Sequence, residues 1–125
     1  MPALIQSLDL VALRKLLREG HIRPAEVIDE VYRRISHRCQ DNIWITLIPR
    51  EDVLEQARAV EEAWRRSGRD PEQFPLYGIP FALKDNIDLA GVPTTAGCPD
   101  FRYVPETSAS CVTRLLDAGA LCVGK

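Results

Sequence analysis

A turn, a short apolar run and an abrupt charge, in that order, constrain this chain more than any other feature. Tyr77-Gly78 supplies the turn, Ile79 to Leu83 the apolar run, and Lys84-Asp85-Asn86 the charge. A run this short, bounded by turn residues, predicts a buried strand. The residues that follow, through Gly91-Val-Pro-Thr-Thr-Ala-Gly-Cys98, are rich in Gly, Pro and Thr and predict an irregular loop. A lysine where a buried strand meets such a loop can be held partly out of water. Desolvation disfavours an ammonium ion, so a lysine in that position is a candidate base near neutral pH. The same pattern has a plainer reading. Alternation puts Ala82 and Lys84 on one face and Phe81 and Leu83 on the other, and Lys84 is then a solvated lysine at a strand end. Asp85 and Asn86 orient the strand end or serve as ordinary turn residues, and the pattern leaves both open.

The chain before this stretch reads as helices. Leu10, Leu13 and Leu17 recur at helical spacing over about 9–19 and stop at Gly20. Pro24 suits a first helical position, and Val27, Ile28, Val31, Tyr32 and Ile35 line one face of a second helix to about Arg38. The two predict an αα-hairpin over about 9–38. Ile43 to Ile48, closed by Pro49, predicts a buried strand. A third helix over about 51–67 carries Val53, Ala57, Val60 and Trp64, with Glu51 and Asp52 at its start and Arg65 and Arg66 at its end, as the helix dipole prefers. Its other charges predict a solvated face, and residues 67–72 a surface linker. After the loop, a helix over about 108–118 turns Val112, Leu115 and Leu116 inward and ends at Gly119, and Ala120 to Val123 forms the last strand. The fold class is therefore α/β: an αα-hairpin, then βαβαβ over about 43–125 with a parallel sheet.

Composition excludes several functions. A net charge of −2 gives no electrostatic reason to expect nucleic acid or an anionic membrane as partner. No apolar run approaches a membrane span and Met1-Pro-Ala-Leu-Ile5 lacks the plan of a secretory leader, so a cytoplasmic protein is expected. The four cysteines, Cys39, Cys98, Cys111 and Cys122, form no Cys-x-x-Cys pair and have no histidine close by, so metal-ligand spacing is absent. They are expected to be free and mostly buried, Cys111 and Cys122 packing as small hydrophobes. Cys98 lies in the loop after Lys84, but as a nucleophile it needs a histidine, and His21 and His37 both fall in the helical N-terminal third, where solvated side chains are expected. Gly119-Ala-Leu-Cys-Val-Gly-Lys125 matches the phosphate-loop formula as far as it runs. Its middle residues are apolar strand formers, and a helix precedes rather than follows it, so nucleotide binding is not expected.

Gly78-Ile-Pro-Phe-Ala-Leu-Lys-Asp-Asn86, Gly91-Val-Pro-Thr-Thr-Ala-Gly97 and Ala118-Gly-Ala-Leu-Cys-Val-Gly-Lys125 resemble, in order and spacing, the amidase signature family. The resemblance spans essentially the whole chain and is strongest from residue 76 onward. Cys98-Pro-Asp-Phe-Arg-Tyr103 looks most like the allophanate hydrolases of that family, where many relatives have Gly-Ser after Thr-Thr-Ala. The resemblance implies the first part of the family's mixed-sheet fold and hydrolysis of amide bonds by a Ser, cis-Ser, Lys triad, with Lys84 matching the lysine. It implies no cofactor and no metal, a small amide as the binding partner, and urea-1-carboxylate as the substrate of an allophanate hydrolase in urea degradation. A homodimer is compatible with it. Both serines of the family pattern lie in a Gly/Ser-rich segment beyond Lys125, and family members are several hundred residues long. This chain of 125 residues therefore looks like the N-terminal part of one, inactive alone. The alternatives are another amidase or an A-type subunit of glutamyl-tRNA amidotransferase, and a small α/β interaction module without enzyme activity.

Overall fold

The computed structural model describes residues 5–38 and 42–125. Its elements are α1 (Leu10–Arg18), α2 (Pro24–His37), α3 (Arg50–Arg66), β1 (Pro80–Ala82), a 3-10 turn (Pro99–Phe101), α4 (Ser110–Asp117) and β2 (Leu121–Gly124). Local chemistry accounts for the helix ends. The Asp9 side chain accepts a hydrogen bond from Ala12 N at 3.0 Å and caps α1. Pro24 opens α2, where the Glu26 carboxylate accepts from Arg23 N at 2.7 Å. Gly119 follows α4 in the left-handed region, at φ +92°.

β1 and β2 pair in parallel, with Phe81 opposite Cys122 and Ala82 opposite Gly124, and α4 is the crossover between them. β2 is buried along its whole length, and both α3 and α4 pack on it. The core joins Leu13 and Leu17 of α1, Val27 and Ile28 of α2, Val53 and Ala57 of α3, and Val112 of α4 to Leu121. Trp64 of α3 stacks on Tyr77, ring centroids 4.4 Å apart and planes 9° from parallel, which ties that helix to the turn before β1. Burial pushes the Tyr77 phenol up to about 12. The Tyr32 hydroxyl donates to Ile48 O at 2.5 Å, joining α2 to the segment that enters α3.

The structure departs from the sequence reading in several places. The run expected to be a buried strand forms β1, but Pro80 and Phe81 are half-buried and Ala82 is exposed, because one face of the sheet lies open. Residues 43–48 are not a buried strand. Ile45 N and Thr46 N both donate to Lys125 O, so two residues face one and the ladder fails after a single antiparallel bridge, Leu47 to Gly124. Ile43 and Ile45 are each 57% exposed as a result. The described residues therefore contain one parallel βαβ unit, with an irregular antiparallel neighbour on β2, rather than two such units. The αα-hairpin is likewise not a packed pair: α2 packs chiefly on α3, and α1 makes little contact with α2. Leu10, at the first position of α1, is 46% exposed, and only Leu13 and Leu17 of its leucine stripe face the core. Cys111 is exposed on α4, whereas Cys122 is buried and Cys98 half-buried. Cys39 lies outside the described residues. His21 and His37 are exposed.

One face of the sheet is open. Pro80, Phe81, Ala82 and Val123 border an apolar cleft of about 440 Å³ whose other wall is formed by α2 and Trp44.

Two expectations follow from this packing. A Cβ at Gly124 would lie 2.5 Å from Thr46 O and 2.9 Å from the Trp44 ring, so Gly124→Ala forces β2 and residues 44–46 apart. Its denaturant midpoint should fall by an amount corresponding to about 1–3 kcal/mol, the usual cost of overpacking, and an unchanged midpoint contradicts this packing. Glu30 accepts hydrogen bonds from Arg33 and Arg34, which lower its carboxyl from 4.5 to about 2. A depressed carboxyl stabilises the fold above its unfolded value and loses that contribution as pH falls toward its folded value. The thermal midpoint should therefore fall more steeply between pH 4.5 and 2 in the parent than in Glu30→Gln. The two arginine side chains are 56% and 36% exposed, so solvent screening should keep the difference below about 1 kcal/mol.

Candidate active site

Both parallel strands end in a lysine. β1 runs through Leu83 into Lys84 and β2 through Gly124 into Lys125, and Leu83 N donates to Gly124 O at 3.0 Å, so the two strand ends lie side by side. Their environments are opposite. Lys84 is exposed, and its ammonium makes no hydrogen bond or ion pair among the described residues. Lys125 is 4% exposed. Its Nζ donates to Thr94 Oγ1 at 3.0 Å and to Pro93 O at 3.2 Å.

The residue after Lys84 is held firmly. Asp85 is 6% exposed, and its Oδ2 accepts from Thr95 N at 3.0 Å, Thr95 Oγ1 at 2.6 Å and Gly97 N at 3.3 Å. The Thr95 hydroxyl does most to hold the Asp85 carboxyl below the ordinary aspartate range, against the opposing effect of burial. The amides of Thr95 and Gly97 and the charge of Lys125 add to it. Asp85 Oδ1 is buried and accepts no hydrogen bond among the described residues. Asn86, by contrast, is exposed. Of the two residues beside Lys84, Asp85 is therefore the one that anchors the strand end.

The loop that closes on Asp85 is folded by its own turn. Cys98 N donates to Thr95 O at 2.9 Å, and the central residues, Ala96 and Gly97, have φ +52° and +76°. Positive φ at both positions is the type I′ pattern and suits glycine better than alanine. Ala96 thus sits in a sparsely populated conformation, as residues at functional sites often do when their surroundings over-determine them. Further along, Thr94 and Tyr103 pair through their backbones at 2.8 and 3.0 Å. Thr94 Oγ1 and the Tyr103 hydroxyl both donate to Asp88 Oδ1, at 2.8 and 2.6 Å. Those two hydroxyls, Tyr103 first, hold the Asp88 carboxyl below its usual range. Ser108 Oγ accepts from Ala90 N at 2.9 Å and ties the loop to the approach of α4.

Sequence reasoning singled out Lys84 and the Gly/Pro/Thr loop, and these do lie together. Thr94, Thr95, Asp88, Tyr103 and Lys125 were not assigned a role by it. One signal could have found Lys125: like Lys84, it ends an apolar strand run. Cys98 is half-buried in the same loop, and no histidine lies in that loop to activate it. Among the described residues no group of three His, Cys, Asp or Glu side chains is placed to hold a metal ion, and no helix is long and apolar enough to cross a membrane.

With this geometry in view, three likenesses identify the family. The chain is 47% identical over 85 residues to urea amidolyase of Saccharomyces cerevisiae, covering 68% of this chain and 4% of that one. It is 35% identical over 114 residues to the A-type subunit of glutamyl-tRNA(Gln) amidotransferase from Exiguobacterium sibiricum, covering 90% of this chain and 22% of that one. The crystal structure of allophanate hydrolase from Kluyveromyces lactis superposes with a TM-score of 0.70 at 34% identity, covering 99% of this chain and 19% of that one. The chain thus spans less than a quarter of the length of each of these relatives. The family model for amidases matches residues 26–125, which takes in β1, β2, Lys84 and the whole loop on Asp85, and the chain belongs to the amidase signature family.

Proposed function

We propose that this chain is the lysine-bearing part of an amidase that cleaves C–N amide bonds by a Ser, cis-Ser, Lys relay, with allophanate as its substrate. The observation that carries the reading is the placement of Lys84. It leaves the C-terminal end of a parallel strand, the side of an α/β sheet where ligands bind, and its ammonium is exposed while the next residue is locked in place. A base for a proton relay needs that combination of an available amine and a backbone that does not drift.

In this reading neutral Lys84 Nζ takes the proton of a bridging serine, which takes the proton of the nucleophilic serine. The nucleophile's oxygen bonds to the amide carbon, the C–N bond breaks, and the departing nitrogen receives the relayed proton. Water then cleaves the acyl-enzyme by the same relay. Taking an amine out of water favours its neutral form. The described residues leave Lys84 open, so that burial comes from the serine-bearing segment of the complete enzyme packing over the loop. Backbone N–H groups of that segment stabilise the oxyanion, a contribution often worth about 2.7–4 kcal/mol per donor. Allophanate is favoured by the Cys98–Tyr103 segment and by the likeness to urea amidolyase and allophanate hydrolase. Its products are ammonia and carbon dioxide, and no cofactor takes part. A second reading, an A-type amidotransferase subunit, is favoured by 35% identity across 90% of the chain. A preference of the complete protein for glutamine over allophanate selects it.

The test is steady-state ammonia release by the complete protein. Lys84→Ala should lower it by at least about 10³-fold, because members of a catalytic relay act as a unit. Lys84→Arg should do the same, since guanidinium keeps the charge but accepts no proton. Thermal midpoints should barely move, as an exposed lysine contributes within about ±0.5 kcal/mol. Near-parental rates in either variant contradict the proposed base. A companion expectation is that the 125-residue chain alone releases no ammonia from allophanate. Turnover that survives re-purification contradicts the need for serines outside it.

A further inference from the structure

We propose that Lys125 is a positioning residue for amide hydrolysis: through Thr94 and Pro93 its buried ammonium holds the loop arm that clamps Asp85, and so fixes the backbone that presents Lys84. The inference rests on the reading of Lys84 as the base and assigns a role to a lysine outside the triad.

The path is short and every link is a contact. Lys125 Nζ reaches Thr94 Oγ1 at 3.0 Å and Pro93 O at 3.2 Å. The next residue, Thr95, places both its amide and its hydroxyl on Asp85 Oδ2, at 3.0 and 2.6 Å. Asp85 is covalently next to Lys84. Thr94 is itself 3% exposed, and its hydroxyl has no freedom left: it accepts from Lys125 and donates to Asp88 Oδ1 at 2.8 Å. The Lys125 backbone is equally fixed, its N–H donating to Thr46 O at 2.8 Å and its carbonyl accepting from Ile45 N and Thr46 N.

Packing alone does not explain a lysine here. Burying an ammonium is costly unless it is hydrogen-bonded and its charge is balanced, and an apolar side chain of similar length fills the space without that cost. Lys125 makes no direct ion pair among the described residues, and the charges it lies near are those of Asp85, whose Oδ1 is buried without a hydrogen bond, and Asp88, which the Thr94 hydroxyl bridges to it. An ammonium on one side of the loop and a carboxylate on the other thus hold the Thr94–Thr95 arm between them. A loop held in this way keeps Lys84 in place without touching it.

The test compares four variants of the complete enzyme in ammonia release, with kcat and KM resolved and thermal midpoints measured beside them. Thr94→Val keeps the shape of the side chain and removes the hydroxyl. It should lower kcat by about 10- to 100-fold with KM little changed, the scale expected when a reacting group is misplaced by a fraction of an ångström to one ångström. Lys125→Met should do the same, and Thr94→Ser, which restores the hydroxyl, should recover most of the rate. If Lys125→Met does not fold, Thr94→Val against Thr94→Ser still tests whether the hydroxyl that Lys125 Nζ holds positions the loop. A folded Thr94→Val that keeps its kcat overturns the proposal, as does a Thr94→Ser as slow as Thr94→Val, because shape and not the hydroxyl then matters. Lys84→Ala separates the two levels. An inactive Lys84→Ala beside an active Thr94→Val overturns the positioning role alone, whereas an active Lys84→Ala overturns the base and the positioning role together.

Discussion

The structure around Lys84 depends on one buried carboxylate, Asp85. Three donors converge on its Oδ2, two from Thr95 and one from Gly97, and hydrogen bonds to a charged acceptor are roughly twice as strong as neutral ones. That concentration of donors is what lets residues 94–98 fold back across a strand end, with Ala96 held at positive φ inside the turn. Without the carboxylate, the Thr95 amide would have to find another acceptor and the Gly97 amide would keep only Thr95 Oγ1, at 3.2 Å, and the loop would lose its main reason to close. Lys125 completes the arrangement from the β2 side. The two buried charges make no direct ion pair among the described residues, and each is satisfied largely through the segment between them.

This explains why a short parallel pair of strands is enough to organise a site. β1 is only three residues long and β2 four, too few for a rigid sheet by themselves. Their rigidity comes from what covers β2, namely α3, α4 and the irregular segment 44–48. The C-terminal ends of both strands are then fixed, and the side chains leaving them have different fates. Lys125 turns into the loop and is buried by it, while Lys84 points into the open. Amide hydrolysis by a lysine-headed relay needs one amine kept available and its backbone kept still, and the two strand ends divide those tasks between them.

Much of this was legible in the residues, and the failures have physical causes. Helix periodicity located α2, α3 and α4 to within two residues at either end, because Pro24, Gly119 and the charged ends of α3 are strong local signals. Alternation put Ala82 and Lys84 on one face and Phe81 and Leu83 on the other, and in the structure the first pair is exposed, Phe81 half-buried and Leu83 buried. Alternation could not show that Ile45 and Thr46 would both face Lys125 across a bulge, leaving residues 43–48 a single bridge to β2, since that depends on the partner and not on the segment. The same limit hid Lys125. A lysine that ends an apolar run can be buried or exposed, and the pattern is identical at residues 84 and 125. What separates them is the loop of residues 85–98, which closes over one strand end and not the other, and its closure depends on the tertiary contacts of Thr94 and Thr95. Cys111 shows the converse, an apolar neighbourhood in sequence whose helical face turns to solvent.

The central claim is that the backbone beside Lys84 is pre-built by this chain's own residues, with Asp85 as its anchor. Amide hydrogen exchange at Thr95 and Gly97 tests it most directly, with Leu121, whose N–H donates to Ile79 O at 2.8 Å inside the sheet, as the reference. The account predicts that both loop amides exchange nearly as slowly as Leu121, and that Asp85→Asn speeds both while Leu121 stays protected. Exchange of Thr95 and Gly97 at the rate of an unstructured peptide, beside a protected Leu121, would contradict it.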